Sequence, residues 1–209
     1  MKEYPSISAY TGKHLGEQCI AFDKFDGSNL RWEWSQKQGW YKFGTRRRLF
    51  DKSDIEYGCA IDIFNNKYAQ PILDVVLKMN KKTENIIVYT EFFGPHSFAG
   101  QHDIQRLGVE SNDPKDLVLF DVNISKKGFV SPFDFVEKFG HLHIPQIIYQ
   151  GELTEEFVQN VRKDDFKLKE GVIIKGGESH KLWMEKVKTH NYLDRLKEKY
   201  KDNWKEFWE

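Results

Sequence analysis

Short runs of β-branched and aromatic residues recur along the chain, and this pattern constrains the fold more than any other feature of the sequence. Such residues favour strands, whereas the Gly, Asn, Asp and charged residues between the runs favour turns. The runs cover residues 19–23, 30–35, 40–43, 85–92, 117–124, 171–174 and 182–187. So many strands interleaved with fewer helices predict an α+β domain built from antiparallel sheets.

Helical spacing of apolar residues is restricted to a few segments, some of which carry clear start and stop signals. The C-terminal segment, residues 189–209, has apolar residues at amphipathic spacing, and we expect this helix to pack on the domain that it follows. The other predicted helices are 68–79, with Pro71 in its first turn, 132–139, capped by Ser131 and ended at Gly140, and 155–162, capped by Thr154.

Length and composition limit the class of protein. The 209 residues suit a single domain, which we expect to span 1–209. The formal net charge is zero, so a nucleic-acid surface must come from local clusters of Lys and Arg. Cys19 and Cys59 are too few for a disulfide framework, and no stretch resembles a membrane span or a signal peptide. We therefore expect a cytoplasmic monomer without membrane contact, including the case of a phage-infected host.

The run Lys24-Phe25-Asp26-Gly27-Ser28-Asn29, directly after the first predicted strand, carries the most specific chemistry. A lysine amine can attack a nucleotide phosphate covalently, and a nearby glycine lets the backbone approach the ligand closely. A polar Asp-Gly hairpin turn is the alternative interpretation of the same run.

Further segments lie within predicted strands or at their ends, and they follow one another in a characteristic order. They are Glu91-Phe92-Phe93-Gly94, Leu119-Phe120-Asp121-Val122, Glu170-Gly171-Val172-Ile173-Ile174-Lys175 and Lys186-Val187-Lys188. Together with the run at Lys24, they resemble motifs I, III, IIIa, IV and V of the covalent nucleotidyltransferases, which include ATP-dependent DNA ligases, RNA ligases and mRNA capping enzymes. This resemblance implies a nucleotidyltransferase (adenylation) domain of two packed antiparallel sheets with flanking helices. An OB domain, which usually follows motif V in DNA ligases and capping enzymes, is not expected, because about twenty residues are too few for such a barrel.

The resemblance also implies roles in the chemical step. Lys24 would attack the α-phosphate of ATP, and Lys186 and Lys188 would bind the phosphates and neutralise the charge that develops on them. Glu170 would organise Mg²⁺ or Mn²⁺, for which a carboxylate is a suitable hard ligand.

Other positions are implied to bind nucleotide or nucleic acid. Glu91 would accept a hydrogen bond from the ribose, and Asp26 would shape the loop or orient Lys24. Phe120 would stack on the purine, with Phe92 and Phe93 as alternatives. The arginine of the family that contacts ribose or nucleic-acid phosphate lies among Arg46, Arg47 and Arg48, of which Arg46 is preferred.

Asn29 distinguishes the branches of the superfamily and is expected to contact nucleotide and nucleic acid. DNA ligases and capping enzymes typically have arginine at this position, whereas RNA ligases typically have asparagine after Ser or Thr. The opening Met1-Lys2-Glu3-Tyr4-Pro5-Ser6-Ile7 also resembles the start of RNA ligases. The sequence therefore predicts an ATP-dependent RNA ligase that acts on RNA ends, including a nicked duplex or an RNA/DNA hybrid. A minimal DNA ligase, a capping-type guanylyltransferase and an inactive nucleic-acid-binding module stay open.

Overall fold

A computed structural model describes residues 3–94, 115–202 and 204, which form an α+β fold, as predicted. The strands are β1 Ser8–Ala9, β2 Gln18–Asp23, β3 Ser28–Ser35, β4 Gly39–Thr45, β5 Leu49–Phe50, β6 Asn85–Phe93, β7 Asp116–Ile124, β8 Gly128–Phe129, β9 Ile147–Glu152, β10 Gly171–Gly176 and β11 Trp183–Lys188. The α-helices are α1 Gly58–Phe64, α2 Gln70–Met79, α3 Pro132–Phe139, α4 Glu155–Arg162 and α5 His190–Tyr200, with a π-helical turn at Asn65–Ala69 and a 3₁₀ turn at Ser179–Lys181.

The described strands form a five-stranded sheet with the order β1-β11-β10-β2-β9 and a six-stranded sheet with the order β5-β4-β3-β6-β7-β8. Neighbouring strands are antiparallel apart from β1 and β11, which pair in parallel through Ser8 and Ala9. The predicted antiparallel sheets are therefore present, and the two-residue strand β1 adds one parallel pair at this edge. A parallel pair needs a long connection, and the N-terminal and C-terminal parts of the chain have the whole intervening sequence available for it.

The chain divides into two compact units. The six-stranded unit comprises Met1–Tyr4 and Asp26–Ile144, and the five-stranded unit comprises Pro5–Phe25 and Pro145–Glu209. Each unit contains one of the two sheets and is named after it. That residues 1–209 act as one domain stays a prediction.

The core of the six-stranded unit lies on one face of its sheet. Leu30, Trp32 and Trp34 alternate along β3 and are buried. The Trp32 ring stacks on Phe64 of α1 with ring centroids 4.2 Å apart, and its Nε1 donates a hydrogen bond of 2.9 Å to Thr90 Oγ1. Because side chains alternate along a strand, the intervening residues face the other side of the sheet. We call this side, with Asn29, Arg31, Glu33, Tyr89 and Glu91, the polar face.

The core of the five-stranded unit packs the sheet against α4. The apolar side of this helix, with Phe157, Val158 and Val161, packs against alternating residues of β2, β10 and β11, which are Cys19, Ala21, Val172, Ile174 and Val187. Since Val187 and Ile174 point into this core, the residues beside them point the opposite way. Lys175, Lys186 and Lys188 therefore lie on one side, which we call the lysine face.

The predicted helix caps are confirmed. Ser131 Oγ accepts a hydrogen bond from the Asp134 amide at 3.2 Å, and Thr154 Oγ1 accepts one from the Phe157 amide at 3.2 Å. Each cap satisfies a backbone donor that has no partner within its helix, which sets the first residue of α3 and α4.

Other element boundaries differ from the prediction. The helix predicted at 68–79 begins as α-helix only at Gln70 and continues an earlier helix, α1, which lacks a side-chain cap and gave no start signal. The predicted C-terminal helix 189–209 ends at Tyr200, where Lys201 takes a positive φ of 46°. Residues 203 and 205–209 of that prediction lie outside the described residues.

The two cysteines have different surroundings. Cys19 is buried in the core of the five-stranded unit, and Cys59 is exposed on α1. Burial raises the pKa of the Cys19 thiol to about 11. Within the described ranges, none of the helices combines the length and apolar character that crossing a bilayer requires.

Candidate active site

Lys24 directly follows β2 in the five-stranded unit and is held at both its backbone and its amine. Its backbone amide donates a hydrogen bond of 3.0 Å to the Gly171 carbonyl. Its Nζ donates one of 2.6 Å to Glu170 Oε2. The Glu170 side chain is only 4% exposed, so this ion pair is largely shielded from water. The predicted nucleophile and the predicted metal-binding carboxylate are thus brought into direct contact.

Glu170 also faces a second lysine. Its Oε1 lies 3.4 Å from Lys188 Nζ, and the Lys188 side chain is 9% exposed. Three predicted site residues therefore meet at the ends of three strands, because Lys24 follows β2, Glu170 precedes β10 and Lys188 ends β11. A buried carboxylate between two ammonium groups is well compensated, and its charge holds both cations in place.

Gly171 explains why Glu170 is followed by glycine. Its φ is +152°, and a Cβ at this position would come within 2.0 Å of the Val187 carbonyl oxygen. Any other residue would push β10 away from β11 and move the neighbouring carboxylate. The glycine therefore fixes the position of Glu170 through close backbone packing.

Two further lysines lie near this cluster on the lysine face. Lys186 is 9% exposed and pairs with Ile173 of β10 across the ladder. Lys175 is 8% exposed, and its Nζ lies 5.7 Å from the centroid of the Phe22 ring. The prediction that Lys186 and Lys188 share one face of a strand is confirmed, and Lys175 joins them.

Asp23, immediately before the predicted nucleophile, was missed by the sequence analysis. Burial raises the pKa of its carboxyl, and the nearby Glu170 raises it further, although Lys169 and Lys24 act in the opposite direction. Its Oδ1 is buried and has no hydrogen-bond partner among the described residues. An acidic residue at the end of a strand is common in turns, so the sequence carries no signal for this burial.

The carboxylates near Lys24 fit a metal site in which phosphate oxygens and water supply part of the ligands, rather than a site built from protein ligands alone. No group of three or more His, Cys, Asp or Glu side chains within the described residues could hold a metal ion. Mg²⁺ is commonly held by one or two carboxylates together with phosphate oxygens and water. Glu170 suits that role, and the buried Oδ1 of Asp23 is a second carboxylate oxygen in the same region.

The rest of the first motif lies in the six-stranded unit. Asn29 of β3 pairs with Glu91 of β6, and both side chains belong to the polar face. Asp26 is exposed. A Cβ on Gly27 would lie 2.5 Å from the Phe92 carbonyl oxygen and 2.9 Å from Glu91 Cγ, so the loop can approach β6 only with glycine there. The structure thus brings Asn29 and Glu91 together.

Phe120 is the extra residue of a β-bulge. Tyr89 pairs with Asp121 and Thr90 pairs with Leu119, so the register shifts by one residue at Phe120. Bulges turn a side chain away from the regular alternation and are common near functional sites. Phe120 is half-buried, whereas Phe92 is fully buried, so the structure leaves Phe120 the more accessible of the two rings. Phe93 lies edge-on to His143, with ring centroids 6.0 Å apart.

The three consecutive arginines differ in their surroundings. The Arg48 guanidinium donates hydrogen bonds to Asp54 and, at 2.9 Å, to Glu56, and lies 5.4 Å from the centroid of the Tyr57 ring. Arg48 thus stabilises the loop between β5 and α1. Arg46 and Arg47 are exposed.

Arg31 is a further residue that the sequence analysis missed. It lies on the polar face beside Tyr89, is 6% exposed, and its Nε and Nη1 have no hydrogen-bond partner among the described residues. The alternation of Arg31 with Leu30 and Trp32 places it on the same side as Asn29, and this period could have indicated it.

Comparison with known proteins identifies the family. A family model for RNA ligase matches residues 17–199 of the chain. The chain belongs to the RNA ligase family. The family match includes every residue from Lys24 to Lys188, and so contains both the lysine–glutamate cluster and the polar face. A comparison with curated protein sequences gives no match.

Solved structures show the same fold. An RNA ligase from Naegleria gruberi, in a mutant apo form, has a TM-score of 0.63 and 15% identity, covering 92% of this chain and 59% of that one. A mutant of the same protein with ATP and Mn has a TM-score of 0.60 and 14% identity, covering 88% of this chain and 52% of that one. A putative ATP-dependent DNA ligase from Aquifex aeolicus has a TM-score of 0.59 and 18% identity, covering 94% and 52%. This RNA ligase family member thus spans between about half and three-fifths of those chains.

Proposed function

We propose that the chain is an ATP-dependent RNA ligase that joins a 5′-phosphate end to a 3′-hydroxyl end. The observation that carries the proposal is the contact of 2.6 Å between Lys24 Nζ and Glu170 Oε2, with Lys188 on the other carboxylate oxygen. It places a lysine amine, a carboxylate and a second cation together. Covalent attack on a phosphate requires these three kinds of group.

The reaction then has three steps. The Lys24 amine forms a bond to the α-phosphorus of ATP, loses a proton, and pyrophosphate leaves. The resulting lysine–AMP transfers its AMP to the 5′-phosphate of the polynucleotide. The 3′-hydroxyl attacks that activated phosphate, a phosphodiester forms, and AMP leaves. Lys186 and Lys188 neutralise the charge that accumulates on the phosphates in each step.

Glu170 contacts the proposed nucleophile and is also the residue that would hold the metal. In the structure its Oε2 accepts a hydrogen bond from Lys24 Nζ, and a lysine that carries its extra proton is not a nucleophile. A bound Mg²⁺ or Mn²⁺ would supply charge neutralisation and alignment at the phosphates. Glu170 would hold this metal together with phosphate oxygens of ATP, and the Lys24 amine attacks only after it has lost its extra proton. The relative with ATP and Mn supports the choice of these ligands.

The polar face supplies nucleotide recognition in this proposal. Glu91 accepts a hydrogen bond from a ribose hydroxyl and Phe120 stacks on adenine. Asn29, together with Arg46 and Arg47, contacts the nucleic acid. The strand that supplies the 3′-hydroxyl is RNA. The half-exposed bulge position of Phe120 and the pairing of Asn29 with Glu91 support these roles.

The first prediction tests the nucleophile. Protein incubated with ATP and Mg²⁺ should gain one AMP by mass spectrometry, and the adduct should be labile to acid and stable to base, as a phosphoramidate is. Lys24→Ala should gain none. Lys37→Ala, which removes an exposed lysine from the turn between β3 and β4, should be labelled like the native protein. Labelling of Lys24→Ala would contradict the proposal, and a native protein that is never labelled would favour an inactive binding module.

The second prediction tests the RNA branch. Nicked substrates whose 3′-hydroxyl strand ends in ribonucleotides should be sealed much faster than all-DNA nicks, with the rate measured from pre-adenylated 5′ ends so that only the last step is compared. Equal rates on the two substrates would favour the alternative of a minimal DNA ligase. A parallel incubation with GTP addresses the capping alternative, since a guanylyltransferase would form lysine–GMP instead of lysine–AMP.

A further inference from the structure

Tyr4 lies on the polar face and contacts the aromatic residues around the bulge. Its ring meets Phe120 edge-on with centroids 5.0 Å apart and an interplanar angle of 85°. It also meets Tyr89 at 5.0 Å and Phe129 at 5.6 Å. Edge-to-face pairs at these distances are attractive and orient both rings. Tyr4 thus completes a cluster of four aromatic rings that includes the proposed stacking residue.

A hydrogen bond fixes Tyr4 in this cluster. Its hydroxyl donates to Asp121 Oδ2 at 2.8 Å, and Asp121 is only 5% exposed. Burial and the adjacent Asp121 carboxylate raise the pKa of Tyr4 well above its ordinary value, so the hydroxyl keeps its proton and remains the donor. Because Asp121 directly follows Phe120, this bond ties Tyr4 to the same stretch of β7 that carries the bulge.

Phe120 depends on such packing because the sheet does not orient it. It is the extra residue of the bulge, so the regular alternation of side chains along β7 does not fix the direction of its ring. A ring that had to select its orientation on each binding event would lose rotamer entropy at the expense of affinity. The edge of Tyr4 limits that freedom before any nucleotide arrives.

We propose that Tyr4 is a positioning residue for the nucleotide base, because it holds the ring of Phe120 in the orientation that stacks on the purine of ATP. This inference rests on the proposed function. It concerns the base alone, since Tyr4 and its partners lie in the six-stranded unit, whereas Lys24, Glu170, Lys186 and Lys188 belong to the other unit. The N-terminal run that contains Tyr4 thereby acquires a role in base recognition.

The test compares ligands with and without a base. Adenosine 5′-(α,β-methylene)triphosphate cannot transfer AMP, and inorganic triphosphate lacks the base and the sugar. Titration calorimetry on Tyr4→Leu should show an affinity for the adenosine ligand that is about three- to tenfold weaker, the size expected for lost aromatic pairs. Affinity for inorganic triphosphate should stay within about twofold. Tyr4→Phe keeps the ring and loses only the hydroxyl, so it should lose about half as much on a logarithmic scale.

Tyr41→Leu is the matched control. Tyr41 is also in the six-stranded unit and its hydroxyl also donates to a carboxylate, Glu33, but it is 41% exposed and belongs to no aromatic pair with Phe120 among the described contacts. Its substitution should leave both affinities unchanged. Melting temperatures of all variants show whether each is folded, and if Tyr4→Leu does not fold, Tyr4→Phe decides the question.

Each other outcome overturns the inference in a different way. Unchanged affinity for the adenosine ligand would show that Tyr4 does not position the stack. Tighter binding would show that Tyr4 competes with the base. Equal weakening for both ligands would assign Tyr4 a general structural role. If the native protein binds the adenosine ligand but forms no lysine–AMP with ATP, the proposed function fails while the inference about Tyr4 can still be judged from the calorimetry; if it binds neither ligand, both fail.

Discussion

At the scale of single residues, Glu170 and Phe120 contribute to different quantities in the proposed reaction. Glu170 contacts the attacking amine and would contact the metal, so its contribution is largest when charge develops on the phosphate. Phe120 would contact the base before and during the reaction, so its contribution is equal in both states. Binding that is equal in ground and transition states lowers the substrate concentration required and leaves the maximal rate unchanged.

The prediction at this scale separates rate from affinity. Glu170→Ala should lower the rate of lysine–AMP formation by orders of magnitude and change the affinity for ATP much less. Phe120→Ala should raise the ATP concentration for half-maximal rate by roughly ten- to a hundredfold, which corresponds to about 1–3 kcal/mol of stacking. Single-turnover rates over a range of ATP concentrations give both values.

Controls follow from the burial of these residues. Phe120 is half-buried in an aromatic cluster, and removing a core aromatic can cost about 3–5 kcal/mol of stability, so the melting temperature of Phe120→Ala has to be measured first. Glu170→Gln keeps the shape of the buried side chain and should lose the rate as well. If a folded Phe120→Ala protein keeps its ATP dependence, the stacking residue is a different aromatic, and Phe93 becomes the next candidate.

Single residues were predicted well from the sequence where the strand period and the motif agree. Lys186 and Lys188 could be placed on one face because residues two apart share a face in any strand. The burial of Phe92 could not be predicted, because it depends on Tyr57, a distant residue that packs on it with ring centroids 6.0 Å apart. The strand period could have placed Arg31 on the polar face, but its burial and that of Asp23 were missed, since burial of a polar side chain depends on distant segments.

At the scale of elements, the loop between β5 and α1 depends on the ion pair between Arg48 and Asp54. The Arg48 guanidinium lowers the pKa of Asp54 to about 2, and hydrogen bonds from the amides of Glu56 and Tyr57, each 3.0 Å long, add to this. Because the pKa in the folded state lies below the ordinary 3.8, the ionised carboxylate favours the folded protein. This contribution is complete above about pH 4 and is lost as the pH falls toward 2.

The prediction for this loop concerns stability against pH. Asp54→Asn should lower the melting temperature by a few degrees at pH 7, and the difference from the native protein should shrink between pH 4 and pH 2. Thermal unfolding followed by circular dichroism at several pH values measures this. A difference that stays constant with pH would mean that the amide bonds of Asp54, and not its charge, stabilise the loop.

The neighbouring arginines provide the matched comparison. Arg48→Ala should also lower the melting temperature at pH 7, whereas Arg46→Ala should leave it unchanged, because Arg46 is exposed and makes no ion pair among the described residues. In a filter-binding assay Arg46→Ala should weaken RNA binding and reduce its salt dependence. If Arg48→Ala weakens RNA binding more than Arg46→Ala does in folded protein, the preference for Arg46 is wrong.

Helices with side-chain caps could be predicted closely, and elements without local signals could not. Ser131-Pro132 and Thr154 mark the starts of α3 and α4, because each cap side chain bonds to a backbone amide three residues later. Helix α1 has no side-chain cap, and β9 is partly exposed along its length, so neither has a strong local pattern. Both exist because of their partners, since α1 covers Trp32 and β9 pairs with β2.

At the scale of the whole molecule, each unit unites distant parts of the sequence. Strand β2 pairs with β9 and β10, more than a hundred residues later, and β1 pairs with β11 at the other end of the chain. The order of strands in a sheet is therefore decided by contacts that no local pattern specifies. The local pattern predicted strands but not how they group into sheets. The resemblance to ligases added that information, because it implied two sheets.

The different surroundings of the two cysteines have a practical consequence for anyone who attaches a probe to this protein. Thiol-reactive dyes require an accessible thiolate, and Cys19 is buried with a pKa near 11, so it reacts very slowly in the folded state. Cys59 is exposed on α1. A maleimide fluorophore at neutral pH will therefore label the native protein at one position of the six-stranded unit. Fluorescence experiments can begin without engineering the sequence.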